Sequence, residues 1–224
     1  MNRNMKRTNK IFKAIRYMML FLLVGAAVLS SLAGCGRKLE SHGMSIYDKK
    51  SGSSYKYLPA CFEAAAKSKD AYGSVEISGA KQGLYSIHGL DTSLWLCTEW
   101  GDVLYAGDDS IETLDTFKPA RAYLCYTGGS VSISFAVVEG DVIDEVMDAW
   151  NSGETVTKPL SEPDETYAIK FESDKYPGLY YSMSVLVYGK DVYIYNKYEG
   201  AKCVVAPDGI ALRLDESEYA DDAE

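Results

Sequence analysis

Histidine is almost missing from this chain: His42 and His88 are the two in 224 residues. A three-histidine metal site is therefore excluded, and no His-Glu-x-x-His occurs. There is no Cys-x-x-Cys, no Gly-x-Ser-x-Gly, no Gly-rich phosphate loop followed by Lys-Ser/Thr, and no Gly-x-Gly-x-x-Gly. Zinc knuckles, thioredoxin-type redox sites, nucleophile elbows and nucleotide sites thus lack sequence support. An Asp-x-Asp-x-Asp-Gly calcium loop is absent as well. Neither a metal, a cofactor nor a catalytic residue is expected. Phenylalanine is scarce against tyrosine, 6 to 18. Tyrosine suits half-buried strands, where the ring packs and the hydroxyl reaches water.

Acids are missing from the first 39 residues, which carry Arg3, Lys6, Arg7, Lys10, Lys13 and Arg16 before an apolar run from Met18. That run is shorter than the roughly 20 residues a spanning helix needs. A basic start, a short apolar core and small residues at its end have the layout of a secretory signal. The run closes on Leu32-Ala33-Gly34-Cys35, which resembles the lipobox of bacterial lipoproteins. The resemblance covers residues 1–35. It implies a signal peptide over 1–34, a thioether joining the Cys35 thiol to a diacylglycerol that carries fatty acyl chains such as palmitate, and cleavage between Gly34 and Cys35. The implied place is the cell membrane, lipid-anchored on the extracytoplasmic face. Two acyl chains give stable anchoring where one is marginal.

Without residues 1–34, 17 bases remain against 32 acids, a net charge near −15. Such a domain repels phosphate backbones, so nucleic acid is not an expected partner. The remaining cysteines, Cys61, Cys97, Cys125 and Cys203, permit up to two disulfides in three pairings, or are free thiols used as small buried hydrophobes.

Residues 35–54, rich in Gly, Ser and Lys, read as the lipidated cysteine and a flexible tether. The folded domain is expected over 55–214. Pro59 to Asp70, with Ala60, Ala64, Ala65 and Ala66, predicts a short N-terminal helix. Alternating apolar residues predict strands near 74–78, 83–89, 94–98, 103–106, 120–126 and 131–138. Asp141 is placed to cap a helix over about 141–151, whose Val142, Ile143, Val146, Met147 and Trp150 recur at helical spacing. Thr155 to Glu165, with Pro159 and Pro163, reads as a linker or long crossing loop. Strands follow at 167–171, 179–188, 191–196, 203–206 and 210–214. The acidic residues 215–224 are expected to be a disordered tail. The whole predicts an α+β fold: a mainly antiparallel sheet of about eight strands with one main helix packed on it. Two related β units, about 74–138 and 166–214, are an internal possibility. Tyr176-Pro177-Gly178-Leu179-Tyr180-Tyr181 and its hairpin are similar to segments of secreted proteins from clostridia-like bacteria, a resemblance that implies no activity.

Gly189-Lys190 suits a type II′ turn between strands 179–188 and 191–196. That register opposes Val187 to Val192 and Val185 to Ile194 on one face. It opposes Leu186 to Tyr193, Ser184 to Tyr195 and Tyr188 to Asp191 on the other. With the valine face on the core, Tyr188, Tyr193 and Tyr195 become the candidate ligand surface. The functional expectation is a lipid-anchored binding module at the cell surface, taking a protein or glycan ligand. Two alternatives stand beside it. One is an accessory subunit of an envelope complex. The other is a hydrolase of cell-wall glycan or peptide using paired carboxylates, such as Asp108/Asp109, Glu162 with Asp164/Glu165, or Glu172 with Asp174.

Overall fold

The computed structural model describes residues 37–108, 111–128 and 131–221. Its strands in chain order are β1 (Arg37–Lys38), β2 (Glu40–His42), β3 (Ser45–Asp48), β4 (Ser53–Tyr57), β5 (Phe62–Ala64), β6 (Lys67–Ile77), β7 (Ala80–Ile87), β8 (Trp95–Thr98) and β9 (Val103–Tyr105). A single-turn helix α1 (Leu114–Phe117) leads to β10 (Arg121–Gly128), β11 (Val131–Val138) and helix α2 (Asp141–Ser152). Then come β12 (Glu165–Glu172), β13 (Leu179–Tyr188), β14 (Asp191–Asn196), β15 (Lys202–Val205) and helix α3 (Asp208–Asp221). The described residues from Leu39 onward form one compact unit.

Two sheets, not one, build that unit. The first runs β6-β7-β8-β9-β4-β3-β2, with antiparallel neighbours throughout. It curls until Leu39, which leads into β2, donates its N–H to the Ser74 carbonyl of β6 at 2.9 Å. The bend is concentrated in β6, whose register shifts on either side of Ala71. Leu39, Ile46, Tyr55, Val75, Leu84, Leu96 and Leu104 fill the inside, each at most 2 % exposed. Two polar groups are tied off there: Tyr55 donates to the Thr92 carbonyl at 2.6 Å, and Tyr72 to the buried Asp48 carboxylate at 2.9 Å.

The second sheet runs β11-β10-β12-β13-β14-β15, and β5 pairs with the first residues of β13. One face carries Leu124, Ile169, Phe171, Tyr181, Val185 and Ile194, all in the main core. Helix α2 joins this core through Ile143, Val146 and Trp150, with Val142 and Met147 half-buried beside them. The outer side of the first sheet enters it through Ile87, Trp95, Cys97 and Val103.

Several expectations are corrected. Residues 40–57 are three strands rather than a tether, because Leu39, Ile46 and Tyr55 are buried and repay the ordering. The expected helix at 59–70 is absent: Phe62–Ala64 pairs with Leu179–Tyr181, and Lys67 begins β6. Tertiary pairing outweighs the helix propensity of four alanines. Residues 210–214 are helical, within α3, because Ile210 and Leu214 meet the core four residues apart, on one helical face. That helix extends to Asp221, through residues expected to be disordered tail. Gly140, at φ 58°, is the N-cap of α2 and makes no side-chain bond, so Asp141 is the first helical residue. The sheet boundary falls between β9 and β10, so strands near 121–138 belong with 165–205 rather than with 74–105.

Candidate functional site

The observed β13–β14 register is Leu186 to Tyr193, Val185 to Ile194, Ser184 to Tyr195 and Tyr188 to Asp191. Gly189 holds φ +60° in the turn, a conformation open to glycine and resisted by β-branched residues. Because side chains alternate, burying Val185 and Ile194 turns Ser184 and Tyr195 to the other side of the sheet. Tyr188, Tyr193 and Tyr195 all lie on that side, half-buried.

The three tyrosines do not act as one surface. Tyr188 and Tyr193 pack edge to face, with centroids 5.9 Å apart. The segment 155–164 crosses this part of the face. It starts at the β15 edge, where Thr155 bridges Val204 and Val156 donates to the Cys203 carbonyl. It ends beside β13, where the Asp164 N–H donates to Val187 and its carboxylate accepts from the Gly189 N–H at 2.7 Å. In between, Tyr188 donates to the Ser161 carbonyl at 3.3 Å, and Lys158 lies 5.7 Å over the Tyr195 ring. Leu186, on the same side of the sheet, is 4 % exposed.

Tyr195 is different. It lines a groove of about 280 Å³ together with Ala168, Ser182, Ser184, Glu63 and Tyr198. The floor is made of small residues on two adjacent strands, Ala168 of β12 opposite Ser184 of β13. The Ser182 hydroxyl in that floor is buried and has no hydrogen-bond partner among the described residues. Glu63 of β5 and Lys170 of β12 form an ion pair at 2.6 Å, with Lys170 also 5.7 Å over the Tyr180 ring. Tyr180 packs edge to face with Tyr123 at 6.1 Å, and Tyr123 donates to Glu172 at 3.0 Å. Burial raises the Tyr180 hydroxyl above its ordinary range. One side of the sheet thus carries tyrosine rings, hydroxyls and the Glu63–Lys170 and Arg121–Glu172 ion pairs around a shallow floor.

A polar knot lies behind the floor. Glu199 accepts from Tyr181 at 2.6 Å, from the Trp150 indole at 3.2 Å and from the Leu114 N–H at 3.4 Å. Asn196 donates to the Tyr181 oxygen at 2.8 Å, and Lys202 donates to the Trp150 carbonyl. This joins α1, α2, β13 and β14, and its link from Tyr181 to the Glu199 carboxylate is a charge-assisted bond, the strong kind. Burial, reinforced by Glu199, pushes the Tyr181 hydroxyl far up.

The cysteines Cys61, Cys97, Cys125 and Cys203 are free and buried. Burial pushes Cys61 and Cys97 up to about 11 and also raises Cys203. These are the properties of inert packing thiols rather than of nucleophiles. Among the described residues no group of three or more His, Cys, Asp and Glu is placed to hold a metal ion. No helix among them is long and apolar enough to cross a membrane. Gly34 and Cys35, the cleavage and acylation positions, lie outside the described residues.

Ala168, Ser182 and Glu63 were not candidates from the sequence, because pairing between separate strands brings them to Tyr195. A usable signal existed in Ser182 and Ser184: small residues at alternate positions of a strand leave a floor on one face. No family model, no curated protein and no solved structure matches this chain.

Proposed function

We propose that this chain is a lipid-anchored extracytoplasmic binding module, and that its ligand is a glycan held in the groove beside Tyr195. The carrying observation is the groove itself: a half-buried tyrosine beside a floor of Ala168, Ser182 and Ser184. A sugar ring offers an apolar face to a tyrosine and hydroxyls to serines and carboxylates, which is the chemistry gathered here. The hydrogen-bonded knot at Glu199 supports the reading, since a site held in place before binding loses less entropy on binding. Anchoring rests on the signal-like residues 1–34 and on Leu32-Ala33-Gly34-Cys35.

The hydrolase alternative asks for one carboxyl held as an acid and a second free to act as base or nucleophile. On this side of the sheet Glu63 is paired with Lys170, while Glu172 accepts from Tyr123 and lies 3.8 Å from Arg121. These partners favour binding over catalysis. The test is binding of the purified chain to a panel of cell-wall glycans, with Ser184→Tyr as the groove-filling variant. Wild type should bind at least one glycan, and Ser184→Tyr should lose at least tenfold in affinity while keeping the wild-type circular dichroism. Binding by neither, or equally by both, would remove the reading.

A further inference from the structure

We infer that one end of the first sheet, the end bearing the Lys49–Lys50 turn, lies against the anionic headgroups of the bilayer that Cys35 enters. This rests on the anchoring part of the proposed function. The antiparallel order fixes which turns share an end. The start of β2, the β3–β4 turn (49–52) and the β7–β8 loop (88–94) lie at one end. The β2–β3 turn (43–44), the β6–β7 turn (78–79) and the β8–β9 turn (99–102) lie at the other.

Chain length then selects the end. Close to the acylation position in sequence, Leu39 is already bonded to Ser74. Leu39 is four residues beyond Cys35, so the extended chain between them spans at most about 14 Å. Lys49 is at the same end, its ammonium 2.6 Å from Glu40. The roughly 25 Å reach of a 20-residue flexible tether is therefore not available.

Charge points the same way. Residues 37–106 hold eight bases and eight acids, whereas residues 107–224 hold nine bases and 24 acids. Only the first of these can approach an anionic surface without strong repulsion. At the selected end, Lys49 and Lys50 are exposed, Arg37 and Lys38 are two and three residues beyond Cys35 in sequence, and Glu40 and Asp91 are the acids of the β2 start and the β7–β8 loop. Each juxtamembrane base favours association with an anionic surface by about fivefold.

The opposite end then faces outward. It exposes Met44 at 86 % and Trp100 at 80 %. Trp100 is held on a fixed turn: the Thr98 hydroxyl donates to Asp102 and accepts from the N–H groups of Trp100 and Asp102. That turn adjoins β5, where Asp102 bridges Glu63 of the groove. The groove's edge is thereby on the outward side.

The experiment uses the full acylated chain in vesicles of phosphatidylcholine with a minority of phosphatidylglycerol. A membrane-impermeant amine reagent is added, and labelling at each lysine is read by mass spectrometry against the same protein in detergent. Lys49 and Lys50 should lose labelling severalfold in vesicles, while exposed Lys81 beside the β6–β7 turn should not. The double variant Lys49→Glu, Lys50→Glu should abolish the difference between bilayers with and without phosphatidylglycerol. Acylated protein with equal labelling at Lys49, Lys50 and Lys81 would overturn the orientation alone. An N-terminal peptide without acyl groups on Cys35 would overturn the anchor and the orientation together.

Discussion

The two sheets of this protein solve the same burial problem in opposite ways. The first, over residues 39–106, bends round its own small core, and its outer side at Ile87, Trp95, Cys97 and Val103 is taken up by the main core. It spends both faces on stability. The second stays open: helices α2 and α3 and the first sheet cover one face, and the other keeps tyrosines, serines and ion pairs. An open sheet with one covered face has a surface left over for recognition, and a curled one does not. The proposed glycan site therefore uses the second sheet, and the proposed membrane contact the first.

The largest test of this division is Trp150→Ala. It removes the biggest fully buried side chain and one donor to Glu199, so it should destabilise by about 3–5 kcal/mol in denaturant melts. A loss under 1 kcal/mol would mean that α2 does not hold the covered face. Gly178→Ala probes the join between the sheets. Gly178 has φ +81°, an added Cβ would lie 2.4 Å from the His88 carbonyl oxygen, and its own carbonyl accepts from Ala65. Strain there should cost about 1–3 kcal/mol, and an unchanged melt would show that the join can shift freely.

Alkali should act on both sheets. Cys61 and Cys97 titrate near 11 when folded and near 9 when free, so the folded state holds more protons between those values. Stability should be flat below pH 9 and fall steadily towards pH 11. Melts unchanged across that window would contradict buried, protonated thiols. A smaller strain is expected at Gly189→Val, where nothing lies within 4 Å of an added Cβ and only the φ of +60° resists it. About 1–2 kcal/mol is expected from that strain. A wild-type melt would show that the turn tolerates positive φ in a β-branched residue.

The hairpin of the second sheet was legible because β13 alternates from Leu179 to Val185 and its turn to β14 is two residues long. The helix at 141–152 was legible from the spacing of Ile143, Val146 and Trp150. The first three strands of the curled sheet were not. Leu39, Ile46 and Tyr55 are spread through Ser, Lys and Gly, and strands of three to five residues carry too few apolar positions to show a period. Around Ala64 local propensity and long-range pairing disagree, and the pairing with Leu179 prevails. Of the candidate site, alternation revealed the side on which Tyr195 lies. Its separation from Tyr188 and Tyr193 depends on a loop that crosses the sheet through backbone bonds at Val156 and Asp164, which no local pattern announces.

The most direct test compares adjacent residues on opposite faces, Ile194→Ala and Tyr195→Ala, measuring both melting and glycan affinity for each. Ile194 is fully buried and Tyr195 lines the groove. Ile194→Ala should lose about 2–5 kcal/mol of stability, with its folded fraction binding as wild type does. Tyr195→Ala should melt within about 0.5 kcal/mol of wild type and lose at least tenfold in affinity. Equal destabilisation by the two, or undiminished binding by Tyr195→Ala, would contradict the division between a core face and a recognition face.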